Sequence, residues 1–126
     1  MGISNAATVA TLMIAVSDET TALTTGAAKI SFHMPYAMTL SDVRANVVTA
    51  PTGAAMVIDI NEAGATILST KLTIDISEKT SKTAATPVVI SDTALADDAL
   101  ITIDIDTVGS TVAGAGLKVY LIGQTT

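Results

Sequence analysis

The feature that most restricts the fold is a two-residue period. In the stretch Leu100-Ile-Thr-Ile-Asp-Ile-Asp-Thr107, isoleucine occupies 101, 103 and 105, and Thr102, Asp104 and Asp106 alternate with it. A helix would scatter those isoleucines around its axis, whereas a strand places them all on one face. The same grammar recurs along the chain. Met56, Ile58 and Ile60 oppose Val57, Asp59 and Asn61, and Val43, Ala45 and Val47 oppose Asp42, Arg44 and Asn46. Ile30, Phe32 and Met34 oppose Lys29, Ser31 and His33, while Leu68, Leu72, Ile74 and Ile76 oppose Ser69, Lys71, Thr73 and Asp75. The echoes VIDI, LTIDI and ITIDI are unequally spaced, so they are not a solenoid repeat.

Turn chemistry separates these runs. Pro51-Thr-Gly53 is a turn, Asn61-Glu-Ala-Gly64 a short hairpin connection, and Ser77 to Thr86 a polar loop ending at Pro87. Val88 to Ile90 reads as a short strand. Ser91 to Asp98 reads as a connection in preference to a single helical turn. Gly114 to Gly116 precede a last strand over Leu117–Ile122. No capped stripe of helical period is present. The chain is expected to be all-β: an antiparallel β-sandwich, jelly-roll-like, with about eight strands. At 126 residues it suits one domain with a real core.

Thr8 to Val16, TVATLMIAV, is different because it has no charged face. Such a segment is either a strand buried on both sides or an interface strand. Residues 1–16 are therefore read as an N-terminal strand or arm and 17–126 as the sandwich. Val9, Leu12, Met13, Ile14 and Val16 are the candidate interface residues.

The acids raise the question of metal. Counted as a calcium loop from Asp104, position five is Val108 and position twelve is Ala115; counted from Asp59, the same positions are Ala63 and Thr70. Both counts lack the oxygen ligand at five and the bidentate glutamate at twelve. No dedicated metal site is expected, which leaves open only weak ion binding at Asp59/Asn61 or Asp104/Asp106. Asp104 and Asp106 share a strand face about 7 Å apart, a spacing a glycosidase pair could use. Nothing near them raises a carboxyl pKa, and a charged outer face that keeps the sheet from sticking is the better account.

His33 is the sole histidine, and no Gly-x-Ser-x-Gly elbow accompanies it. With no cysteine, thiolate chemistry and disulfides are excluded. A net charge of −6 with scattered basic residues speaks against nucleic acid. No run of 18 apolar residues suggests a membrane span. The N-terminus lacks both a basic n-region and the myristoylation pattern, which needs Ser or Thr where Ala6 stands. Phe32, Tyr36 and Tyr120 are the only aromatics, too few for sugar platforms. The expectation is a non-enzymatic protein with no cofactor, built to assemble.

From Ser17 to about residue 123 the blocks TLSDVRA, ILSTKLTID and GLKVYLIG occur in an order that resembles a β-domain of structural proteins in tailed bacteriophages. The resemblance implies a virion component made in the host cytoplasm and seated on the capsid surface. Its short length favours a capsid decoration or cement protein over a fibre or receptor-binding module. The implied partners are the major capsid protein and further copies of the chain, as a trimer in preference to a dimer, with neither nucleic acid nor membrane.

Overall fold

The computed structural model describes residues 8–126. It contains β1 (Val9–Ala15), β2 (Gly26–His33), β3 (Met38–Asn46), β4 (Met56–Glu62), β5 (Ala65–Thr66), β6 (Leu68–Thr70), β7 (Leu72–Ile74), β8 (Val89–Ile90), β9 (Ala94–Leu95), β10 (Leu100–Thr107) and β11 (Lys118–Thr125). The one helical element among these residues is a 3-10 turn at Ser81–Thr83, capped where Thr80 Oγ1 accepts from the Lys82 N–H. No helix among them is long and apolar enough to cross a membrane.

Pairing follows a single rule. The chain doubles back as one long antiparallel ribbon: β1 pairs with β11, β2 with β10, β3 with β9 and β4 with β7. Two lateral pairings, β11 with β3 and β10 with β4, roll that ribbon into two sheets. The first sheet has the order β1-β11-β3-β9, and the second runs β2-β10-β4 with β5 and β7 along the far edge of β4. β1 to β4 thus alternate between layers and the later strands of the ribbon return beside them, which is the jelly-roll arrangement. The eight strands of the ribbon match the expected number; β5, β6 and β8 are short additions.

The space between the sheets is filled by the alternating residues. Met56, Ile58, Ile60, Leu72, Ile74, Ile101, Ile103, Ile105, Leu117, Val119 and Leu121 are each at most 1% exposed. Each buried side chain of this size contributes about 1.5–3 kcal/mol, so an aliphatic core substitutes for the missing aromatics and disulfides. Hairpin β4–β5 closes through Ala63 (φ 49°) and Gly64 (φ 86°). Two successive positive φ values make a type I′ turn, whose twist suits the flanking strands.

Four details depart from simple alternation. Ile76 is 50% exposed, because the chain turns at Ser77 (φ 64°) and ties the Ser77 N–H to the Pro51 carbonyl at 2.8 Å. Ile67 is wholly buried between β5 and β6, its N–H donating to the Ile60 carbonyl at 3.0 Å. In β3 both Leu40 and Val43 point inward although they are three residues apart, because the β3–β11 register slips at Ile122/Gly123. Within the Ser91–Asp98 connection, Leu95 is buried and forms β9 against Met38.

Candidate functional site: the edge strand β1

β1 belongs to the sandwich by its hydrogen bonding, so the fold continues across the boundary drawn at residue 16; residues 1–7 of the arm lie outside the described residues. Its register with β11 is unbroken from Val9↔Gln124 to Ala15↔Lys118. The Val16 N–H donates to the Leu117 carbonyl at 2.9 Å, and the Thr125 N–H to the Thr8 carbonyl at 2.9 Å. Even-numbered residues of β1 therefore point their backbone groups at β11. By antiparallel geometry the N–H and C=O of Val9, Thr11, Met13 and Ala15 point to the open edge.

The same parity divides the five candidate interface residues. Ile14 is a core residue, and Leu12 and Val16 are half-buried against the core. Val9 and Met13 face outward, 74% and 58% exposed. Across the outer face Met13 lies opposite Tyr120, which lies opposite Arg44; Thr11, Ile122 and Asp42 form the next row. The Asn46 amide donates to Tyr120 Oη at 3.3 Å, and Arg44 Nε to Asp42 Oδ2 at 3.0 Å. Beside Arg44 a groove of about 210 Å³ is lined by Asn46, Thr80, Tyr120 and Ile122. That is below the roughly 300–1,000 Å³ of small-molecule sites.

The edges differ sharply in how they are guarded. β2, the edge of the second sheet, has a register slip opposite β10, a left-handed Ala28 (φ 48°), and the charged Lys29. β5, β7 and β9 are two or three residues long. Bulges, charges and shortness are the usual devices against edge-to-edge association. β1 has seven residues with no charge, no proline and no bulge. It is the one long unguarded edge among the described residues.

The acids are engaged within the fold. Asp59 is 6% exposed and sits directly across from Asp104, a like-charge pair that a sheet tolerates only with compensation. Asp59 Oδ1 accepts from the Ile60 N–H at 2.9 Å and from Thr66 Oγ1 at 2.5 Å. Asp104 Oδ1 accepts from the Ala28 N–H at 2.7 Å, bracing the β2 irregularity, and Oδ2 from the Asn61 amide at 2.9 Å. Lys71 Nζ lies 2.5 Å from Asp106 Oδ2 and 3.9 Å from Asp59 Oδ2. Among the described residues no three acidic or imidazole groups converge as metal ligands. His33 is exposed, its Nδ1 2.8 Å from the Asp98 carbonyl oxygen.

The hydrogen bond to Asp106, then the charges of Asp106, Asp59 and Asp104, hold the Lys71 ammonium above its ordinary pKa. A raised pKa stabilises the fold below the unfolded value of about 10.5 and ceases to do so as pH climbs through the folded one. Lys71→Met is thus expected to cost up to about 1 kcal/mol at pH 7, because solvent screens a pair in which Lys71 is half-exposed. The gap between variant and wild type should close at alkaline pH; melting temperatures from pH 7 to 11.5 would show it.

No protein-family model, curated protein or solved structure matches this chain.

Proposed function

We propose that the chain is a non-enzymatic structural protein that works by assembly, most specifically a capsid cement protein of a tailed bacteriophage. In this role copies associate with one another and clamp neighbouring major capsid subunits on the outside of the head. The observation that carries the assembling role is β1, a long strand edge free of charge in a chain of net charge −6. The assignment to a phage head rests on the resemblance of the TLSDVRA, ILSTKLTID and GLKVYLIG blocks.

The chemistry points the same way. Carboxylates that could serve catalysis accept bonds from backbone, hydroxyl, amide and ammonium donors of the fold itself. The groove beside Arg44, about 210 Å³, is below the size of small-molecule sites. Weak contacts suffice for cement, because the lattice multiplies them through high effective concentration.

The second reading is a fibre or receptor-binding module. It is favoured by the outer face around Arg44, where Tyr120, Asn46 and Thr80 offer an aromatic ring and polar groups side by side. Copy number separates the two. Quantitative mass spectrometry of purified particles is expected to find hundreds of copies per virion, lost from the head in parallel with its resistance to heat. A handful of copies confined to the tail would sink the cement reading in favour of the receptor-binding one.

A further inference from the structure

The open edge of β1 has the pattern of a surface that pairs with itself. We propose that β1 joins β1 of a second copy in antiparallel register about a two-fold axis at Leu12, making one continuous eight-stranded sheet across a dimer. The inference names the partner of that edge and rests on the assembling role proposed above.

Register is dictated by parity. Hydrogen-bonded pairs across the joint must use the residues whose backbone groups face outward from the edge, which are Val9, Thr11, Met13 and Ala15. Centring the axis on Leu12 pairs Val9 with Ala15 and Thr11 with Met13 of the second copy. All four residues are used on each side, in pairs that exchange hydrogen bonds in both directions. The faces also agree: inward residues meet inward residues, Ala10 opposite Ile14 and Leu12 opposite Leu12. Each large side chain then sits across from a smaller one, except on the axis, where two leucines meet at the closer spacing of a non-hydrogen-bonded pair.

Charge selects the antiparallel arrangement. Acidic residues enter just beyond the C-terminal end of β1, at Asp18 and at Glu19, the latter ion-paired to Lys118 of β11, so the repulsion falls on Asp18. Antiparallel pairing sends the two Asp18 carboxylates to opposite ends of the joint, whereas parallel pairing would set them side by side. Because β1 itself is uncharged, two copies that are each strongly acidic meet along a neutral edge.

The sandwich also leaves apolar surface on this side. β3 packs against β7, so the two sheet orders run in the same direction and β1 and β2 form the same flank. Ala10 and Leu12 of β1 and Ile30 and Phe32 of β2 pack on the core there but are only partly buried. A second copy set against β1 covers the first pair. A three-fold ring would need β1 to join a different edge, and among the described residues every other edge is bulged, charged or no longer than three residues. This edge therefore gives a dimer, in place of the trimer that the resemblance suggests.

The test uses the full chain and its lack of cysteine. Leu12→Cys places two thiols on the axis with Cα atoms about 4.5 Å apart, within the range a disulfide spans. Under mild oxidation it should cross-link to a covalent dimer in high yield, and Val9→Cys should not. Met13→Pro removes an N–H that the fold does not use, at an edge position where proline is tolerated. Sedimentation should give about twice 12.7 kDa for the wild type and 12.7 kDa for Met13→Pro, with similar melting temperatures. A monomeric wild type at millimolar concentration, a Met13→Pro that stays oligomeric, or cross-linking through Val9 in place of Leu12 would each overturn the pairing. Binding to heads is read separately: a dimer that ignores capsids defeats the cement role and leaves the pairing intact.

Discussion

Ile14→Asp is expected to unfold the protein, whereas Met13→Asp, one residue away, is expected to leave its melting temperature almost unchanged. Ile14 faces the core and pairs with Val119, itself fully buried. A carboxylate there would lose its hydration without gaining a partner, a cost of several kcal/mol against a total stability of about 5–15 kcal/mol. The side chain of Met13 stands in solvent on the outer face. An aspartate there keeps its water, and its effect should appear in association instead. Circular dichroism melts and sedimentation of the two variants read these outcomes directly. Equal destabilisation by both would mean that β1 is not an edge strand with one wet face.

Gly123→Ala should be nearly as damaging. A Cβ at Gly123 would stand 2.0 Å from the Thr39 carbonyl oxygen and 2.9 Å from the Leu40 Cα. Both are backbone atoms of β3, so no side chain can rotate out of the way. Relief requires parting β3 from β11 where their register slips at Ile122/Gly123, in the middle of the first sheet. The expected cost is about 3–5 kcal/mol, in the upper range of single substitutions. Gly64→Ala provides the control. Gly64 has a positive φ, 86°, which Gly123 does not, yet nothing lies within 4 Å of a Cβ there. Only the left-handed backbone is penalised, by about 1–2 kcal/mol, and chemical denaturation should rank the two accordingly.

The inward faces were legible residue by residue. Ile101, Ile103 and Ile105, Met56, Ile58 and Ile60, and Val43, Ala45 and Val47 all lie in the core, as their spacing required. Alternation is a local property of the pleat, so it survives whatever the strand pairs with. Ile76 and Ile67 escape the alternation because their burial depends on where the chain leaves a sheet. Ile76 follows the LTID pattern but lies past the end of β7, where a left-handed Ser77 next to it turns the chain out. Ile67 sits between two very short strands, too few residues for any period to show.

The candidate site was legible as a segment and illegible as a geometry. The lack of charge over Thr8–Val16 marked β1 as unusual from the sequence alone. Which of Val9, Leu12, Met13, Ile14 and Val16 face outward depended on the hydrogen bonds to β11. Asp104 likewise looked like outward decoration, yet it binds the Ala28 N–H some seventy-six residues away and shapes the guarded edge of β2.

The sequence by itself determined that this chain is all-β, that its strands bury their alternating aliphatic side chains, and that its first strand has no charged face. Those properties depend on neighbours two residues apart. The tertiary structure alone decided that, among the described residues, β1 lies at an edge with its odd-numbered backbone groups open and every other edge is guarded. Those properties depend on which distant strand comes to lie alongside, and closure of the ribbon from β1 to β11 settles that at a sequence separation of more than a hundred residues.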